Sequence, residues 1–233
     1  MGRHADTLRR MQERVSELIE RFGHYVDEFD RANLFSGPSL HFHFKTLDLL
    51  HRHASPAQAV KDDEFLESMY ATLTSWGMHR MGPGNTKLVE FTSLRSSFSQ
   101  QAHQIGQLES LHIYDIEARN AGEVTQLLWD IISQLRVGIG DTKIVAGSKA
   151  LHHVLPNLVP PIDRQYTLRF FYNHTTLNQG DKRAFCEIYP QFHRIATTCR
   201  SVIEPRLGSG LNTSPTKVVD NAIIGYCLKH LKV

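Results

Sequence analysis

The chain has 233 residues, 41% hydrophobic and 21% charged. That is ordinary globular usage: it excludes a disordered chain, a coiled coil and a collagen-like repeat, and leaves one domain with a substantial core or two small lobes sharing a cleft. The net charge of +2 hides an asymmetry, since residues 1–135 hold 13 Lys+Arg against 18 Asp+Glu while residues 136–233 hold 13 against 6, so the basic half is a candidate surface for a polyanion.

In chain order, Leu8, Met11, Val15, Leu18, Ile19, Phe22, Val26 and Phe29 recur at spacings of three and four and predict one long amphipathic helix from about Asp6 to Arg31. Ser36-Gly37-Pro38-Ser39 breaks the chain ahead of a helix through Leu40, Phe44, Leu47 and Leu50, which Ser55-Pro56 ends. Asp62 to Trp76 reads as another helix, with acidic residues in its first turn where the dipole favours them. Met81-Gly82-Pro83-Gly84-Asn85 reads as a turn. Further helices are expected over Leu88 to Ile105, Gly122 to Leu135, Lys149 to Leu155, Arg164 to Tyr172, Lys182 to Ile203 and Thr216 to Leu231. Apart from the short His41-Phe42-His43-Phe44, no segment alternates at period two. The expected fold is mainly α, with an acidic N-terminal lobe over 1–135 and a basic lobe over 136–233 and a cleft between them.

No apolar stretch approaches the roughly 20 residues a membrane helix needs. Met1 to Glu20 interleaves Arg, Asp and Glu with its apolar residues, unlike a secretory signal, so a cytoplasmic protein without a membrane partner is expected. Cys186, Cys199 and Cys227 match no zinc or disulfide framework and read as reduced thiols. The histidines His41, His43, His51, His53, His152 and His153 invite a metal, but no cysteine or carboxylate in the sequence pattern completes a set, and no cofactor is expected. No Gly-x-Ser-x-Gly elbow marks a serine nucleophile.

The chemistry concentrates between Ile131 and Phe171. There an apolar helix ends in a glycine-containing turn, a short helix begins near Ser148-Lys149, and a loop with Pro156, Pro160 and Pro161 leads to Asp163 at the head of the next helix. Glycines let backbone approach closely, so such a turn can present N–H groups and a helix N-terminus to phosphate, with Lys149 adding charge. Those contacts grip a nucleic-acid backbone without reading sequence. Asp163, fixed by two prolines and an N-capping position, can stabilise an oxocarbenium-like sugar and orient water for attack.

Val145-Ala146-Gly147-Ser148-Lys149-Ala150 is similar to the hairpin of the helix-hairpin-helix DNA glycosylases, whose signature is Leu-Pro-Gly-x-Gly-x-Lys-Thr-Ala followed by a helix and a catalytic Asp. Pro160-Pro161-Ile162-Asp163-Arg164-Gln165-Tyr166 resembles their acid segment. A second register, Gly138-Ile139-Gly140 with Lys143, keeps both glycines. The resemblance spans roughly 40 residues and implies a two-lobed enzyme that flips a damaged or modified base from double-stranded DNA and cleaves its N-glycosidic bond, in repair or in defence against modified phage DNA. It implies Asp163 as the catalytic acid, Lys149 as a further catalytic group able to form a Schiff base, and Gly147, Ser148, Lys149, Arg164, Lys143 and Lys217 as DNA contacts. Trp76, His79, Arg80 and Tyr166 are the expected base pocket. Two other readings stand beside it: a non-catalytic DNA-binding protein using the same hairpin, and a helical scaffold whose basic half meets an acidic partner.

Overall fold

The computed structural model describes residues 2–78, 87–117 and 119–231. The chain is helical, and among the described residues the only extended pairing is an isolated antiparallel bridge between Leu88 and Gly138. Its helices are α1 (Gly2–Glu20), α2 (Phe22–Ala32), α3 (Pro38–Arg52), α4 (Pro56–Ala59), α5 (Asp63–Ser75), α6 (Phe91–Leu108), α7 (Ala121–Gln134), α8 (Ile144–His152), α9 (Arg169–Tyr172), α10 (Asp181–Thr198), α11 (Arg200–Ile203) and α12 (Pro215–His230). A single wide π turn, Arg164–Leu168, leads into α9.

The opening helix is two helices. Arg21, at φ −120° and ψ 27°, interrupts the geometry. The apolar stripe nonetheless continues across the break, and Met11, Val15, Leu18, Phe22, Val26 and Phe29 are all buried. Periodicity reports which face is covered, and here that face survives a local kink.

Helices on either side of residue 136 pack directly against one another. One hydrophobic core runs from Met11 to Cys227. Its N-terminal contributors lie against its C-terminal ones, α2 on α12, α1 on α9 and α10, and α7 on α10. The Nη1 atom of Arg14 in α1 donates to the carbonyls of Arg169 and Phe170 at 3.0 and 2.7 Å, tying the first helix to α9. The acidic and basic halves are therefore interleaved in space, because charge along the chain says nothing about which apolar faces match.

The crossing of α2 and α12 is close enough to need a glycine. A Cβ on Gly225 would sit 1.9 Å from the Tyr25 carbonyl oxygen and 3.1 Å from the Phe29 amide nitrogen. Both are backbone atoms of α2, so relief requires moving a helix. Gly225→Ala is expected to destabilise the fold by about 3 kcal/mol, the upper end for overpacking. That would appear as a lower denaturation midpoint with an unchanged helical spectrum, and an unchanged midpoint would show that the two helices separate freely.

α8 begins earlier than expected. It starts at Ile144, so Gly147 and Ser148 lie inside it and Lys149 in its last turn. The connection from α7 covers residues 135–143 and contains Gly138 and Gly140. This segment is pinned by N–H donation from Val89 to the Val137 carbonyl at 3.0 Å and from Ile139 to the Lys87 carbonyl at 2.9 Å. The Asp181 carboxylate then accepts from the backbone N–H groups of Lys143 and Ile144, the latter at 3.0 Å, and caps α8.

Candidate active site

Asp163 is the N-cap of the turn leading into α9. Its Oδ1 accepts from the backbone N–H groups of Tyr166 and Thr167 at 2.7 and 3.3 Å, while its own N–H donates to Thr167 Oγ1 at 3.1 Å. This reciprocal pattern fixes both backbone and carboxylate. One residue earlier, the Ile162 N–H donates to the Ser148 hydroxyl at 3.0 Å. Ser148 is wholly buried, so it is not a DNA contact; it anchors the double-proline segment to α8 and thereby aims Asp163.

Gly147 is likewise not a hairpin glycine. A Cβ there would lie 2.9 Å from Ile132 Cγ2 and 3.2 Å from the Ile132 carbonyl oxygen, so the residue is small to let α8 approach α7. The expectation of a helix N-terminus free to bind phosphate is also corrected, because the Asp181 carboxylate already occupies the first amides of α8. What remains exposed is the other register: Gly140 and Ile139, the latter 60% exposed, lie beside half-buried Lys143. Exposed Arg164 reaches back to this turn, donating from Nη2 to Thr142 Oγ1 at 3.2 Å and from Nη1 to the Thr175 carbonyl at 3.2 Å.

Asp163 and Lys149 line one pocket of about 260 Å³ together with Trp76, at the end of α5, His43 of α3, and Lys217 and Asp220 of α12. Phe35, Leu40, Pro161, Leu211 and Ile224 supply its apolar walls. The volume lies below the roughly 300–1,000 Å³ of drug-sized sites and suits one small flat ligand. Lys149 Nζ stands 6.0 Å from the centre of the half-buried Trp76 ring. Tyr166 is not among the residues lining this pocket; its N–H is used on Asp163 instead. His79 and Arg80 lie outside the described residues, as does the turn expected over 81–85.

Lys217 is not a surface phosphate clamp. It is 4% exposed, as is Asp220. Its Nζ donates to Asp220 Oδ2 at 2.7 Å and to Asn221 Oδ1 at 2.5 Å, and it lies 5.4 Å from the centre of the Phe29 ring and 5.9 Å from that of Phe35. Burial pushes the Asp220 carboxyl above its usual range, the Lys217 ammonium pulls it back, and the nearby Asp163 raises it again. The pocket thus holds two carboxylates and two ammonium groups, a balanced set in a partly dry site where each interaction is stronger than in water.

Behind the pocket wall, His43 is joined by two further buried imidazoles, His152 and His153. His153 Nδ1 lies 2.8 Å from the Lys149 carbonyl, His43 Nδ1 lies 3.0 Å from His153 Nε2, and His43 Nε2 lies 3.3 Å from Thr213 Oγ1. A carbonyl only accepts, so in the neutral ring His153 Nδ1 carries the proton. Its Nε2 then accepts from His43 Nδ1–H, and His43 Nε2 accepts from the Thr213 hydroxyl. His152 Nδ1 donates to the Val159 carbonyl at 2.8 Å, which also fixes its tautomer. Burial, and secondarily the neighbouring imidazoles, push His43 and His152 far below the usual histidine value; burial lowers His153 to about 4. Among the described residues, no group of three or more His, Cys, Asp or Glu side chains is placed to hold a metal ion.

Sequence reasoning named Trp76, Lys149, Asp163 and Lys217, and all four meet in the pocket. It missed Asp220 and His43 as pocket groups. No protein-family model, curated protein or solved structure matches the chain.

Proposed function

We propose that the protein is a DNA glycosylase that takes a damaged or modified base out of duplex DNA and cleaves its N-glycosidic bond. The observation that carries this reading is the pocket itself, in which a rigidly capped aspartate, a lysine and a tryptophan face are assembled from three separate elements. In this reading the exposed turn Gly138–Lys143 and Arg164 hold phosphate, and the basic residues after 136 supply the sequence-independent attraction. The extruded base stacks on Trp76. The Asp163 carboxylate then stabilises positive charge at the anomeric carbon as the C–N bond breaks, and it directs a water to that carbon. The released base carries away the bonding pair and a proton, and the product is an abasic site.

Lys149 lines the same pocket, and a second route within this reading uses its amine as the nucleophile. Attack by its nitrogen would displace the base and leave a covalent imine with the opened sugar. The decisive experiment incubates the protein with duplexes carrying a panel of damaged and phage-type modified bases, with mass spectrometry of what is released. A free base from at least one duplex is expected. With that duplex, borohydride trapping should give a covalent adduct that Lys149→Ala lacks if the lysine attacks, and alkali-dependent strand scission without adduct if water does. Retention of DNA with no base released from any duplex would overturn the enzyme and leave a binding protein, and binding to an acidic protein that competing DNA does not displace would leave a scaffold.

A further inference from the structure

Asp220 is a buried carboxylate with one oxygen committed and the other idle. Oδ2 is fixed by Lys217, and Lys217 is itself held by Asn221. Asn221 Nδ2 is locked to the Leu211 carbonyl at 3.2 Å and to Asn212 Oδ1 at 2.9 Å. This chain of contacts holds Oδ2 toward Lys217. Oδ1 is buried and has no hydrogen-bond partner among the described residues. A buried acceptor left unpaired carries a full desolvation penalty, so such an atom calls for an explanation.

The pocket supplies one. An ionised carboxylate oxygen demands a donor, and with two lysines and two aspartates already balancing, a neutral donor fits better than a cation. The Trp76 side chain bounds the same space and favours a flat partner. We propose that Asp220 selects the base: its Oδ1 accepts a hydrogen bond from an amino or imide N–H on the edge of the base that enters the pocket. This rests on the base-pocket reading above. It commits that reading to bases bearing such a donor and against bases whose matching edge is methylated or lacks the amino group. A site built around a buried acceptor discriminates strongly, because the wrong ligand leaves the acceptor stranded.

Calorimetric titration with nucleosides tests this without any catalytic turnover. Deoxyadenosine is compared with purine deoxyriboside, deoxycytidine with pyrimidin-2-one deoxyriboside, and thymidine with its N3-methyl derivative. At least one donor-bearing nucleoside should bind about 10-fold or more tightly than its donor-less partner. That preference should vanish in Asp220→Asn and in the double variant Lys217→Met, Asp220→Leu, which removes both charges and so strands neither if the single variant does not fold. Equal binding within every pair, or a preference that survives in the double variant, would overturn the selection by Asp220. If base release from duplex DNA persisted alongside equal nucleoside binding, only this assignment would fall. If no nucleoside bound at all, the base pocket would fall with it.

Discussion

Replacing Asp163 with asparagine is expected to give a folded protein that still holds duplex DNA but releases base at least about 100-fold more slowly, the scale on which one preorganised electrostatic group acts. The choice of asparagine matters. Oδ1 of Asp163 accepts two backbone N–H bonds as an N-cap, and an asparagine carbonyl oxygen caps nearly as well. The substitution therefore removes charge from the reacting centre while keeping the turn that carries it. DNA affinity should be unchanged or slightly tighter, because one negative charge has left the surface near the phosphates. Asp163→Ala removes the cap as well and should also melt earlier. Single-turnover base release and a parallel binding titration separate the two effects. A wild-type release rate in Asp163→Asn would show that the carboxylate only caps a helix.

Stability should fall steeply on mild acidification. His43, His152 and His153 are kept neutral in the folded chain, chiefly by burial, and His153 is lowered to about 4. In the unfolded chain each would take up a proton near pH 6.5. Above that value both states are neutral at these sites and the full stability is present. As pH falls below it, the unfolded chain binds protons that the folded chain refuses, so stability drains until the folded imidazoles titrate, from about 4 for His153 and lower still for His43. Each imidazole contributes up to about 1.4 kcal/mol per pH unit inside that window. The raised Asp220 carboxyl acts in the opposite direction and offsets part of the loss. Denaturant midpoints at pH 7, 6 and 5 should decline progressively, and His153→Gln should flatten the slope by one imidazole. A level profile between pH 7 and 5 would mean that the three rings accept protons in place.

The helices and their buried faces were legible because the apolar spacing of three and four residues directly reports which side of a helix is covered. Asp163 was legible for a local reason too, since two prolines and a capping geometry lie within a few residues of it. Gly147 was misread because a glycine serves two ends, permitting a turn or permitting contact, and only the position of Ile132 tells which. Asp220 was hidden by an ordinary pattern, Lys217 followed three residues later by an acid, which is usually a solvated helix pair. The available signal was the run around it: Val218, Val219, Ala222, Ile223, Ile224, Tyr226 and Cys227 wrap α12 in apolar residues, and all are buried. A helix covered on every side makes any charge within it a buried charge. His43 gave no such signal, since it differs from His41 only in the side of α3 it occupies.

The join between α2 and α12, where Gly225 meets Tyr25 backbone, has a bearing on when the protein becomes competent. Lys149 and Asp163 precede α12 in the chain, but Lys217 and Asp220 reach them only once that helix has seated against α2. A nascent or partly unravelled copy would thus carry Lys149 and Asp163 without the two charged groups that line the pocket with them. Completion of the pocket is therefore coupled to closure of the whole fold rather than to the formation of any one segment.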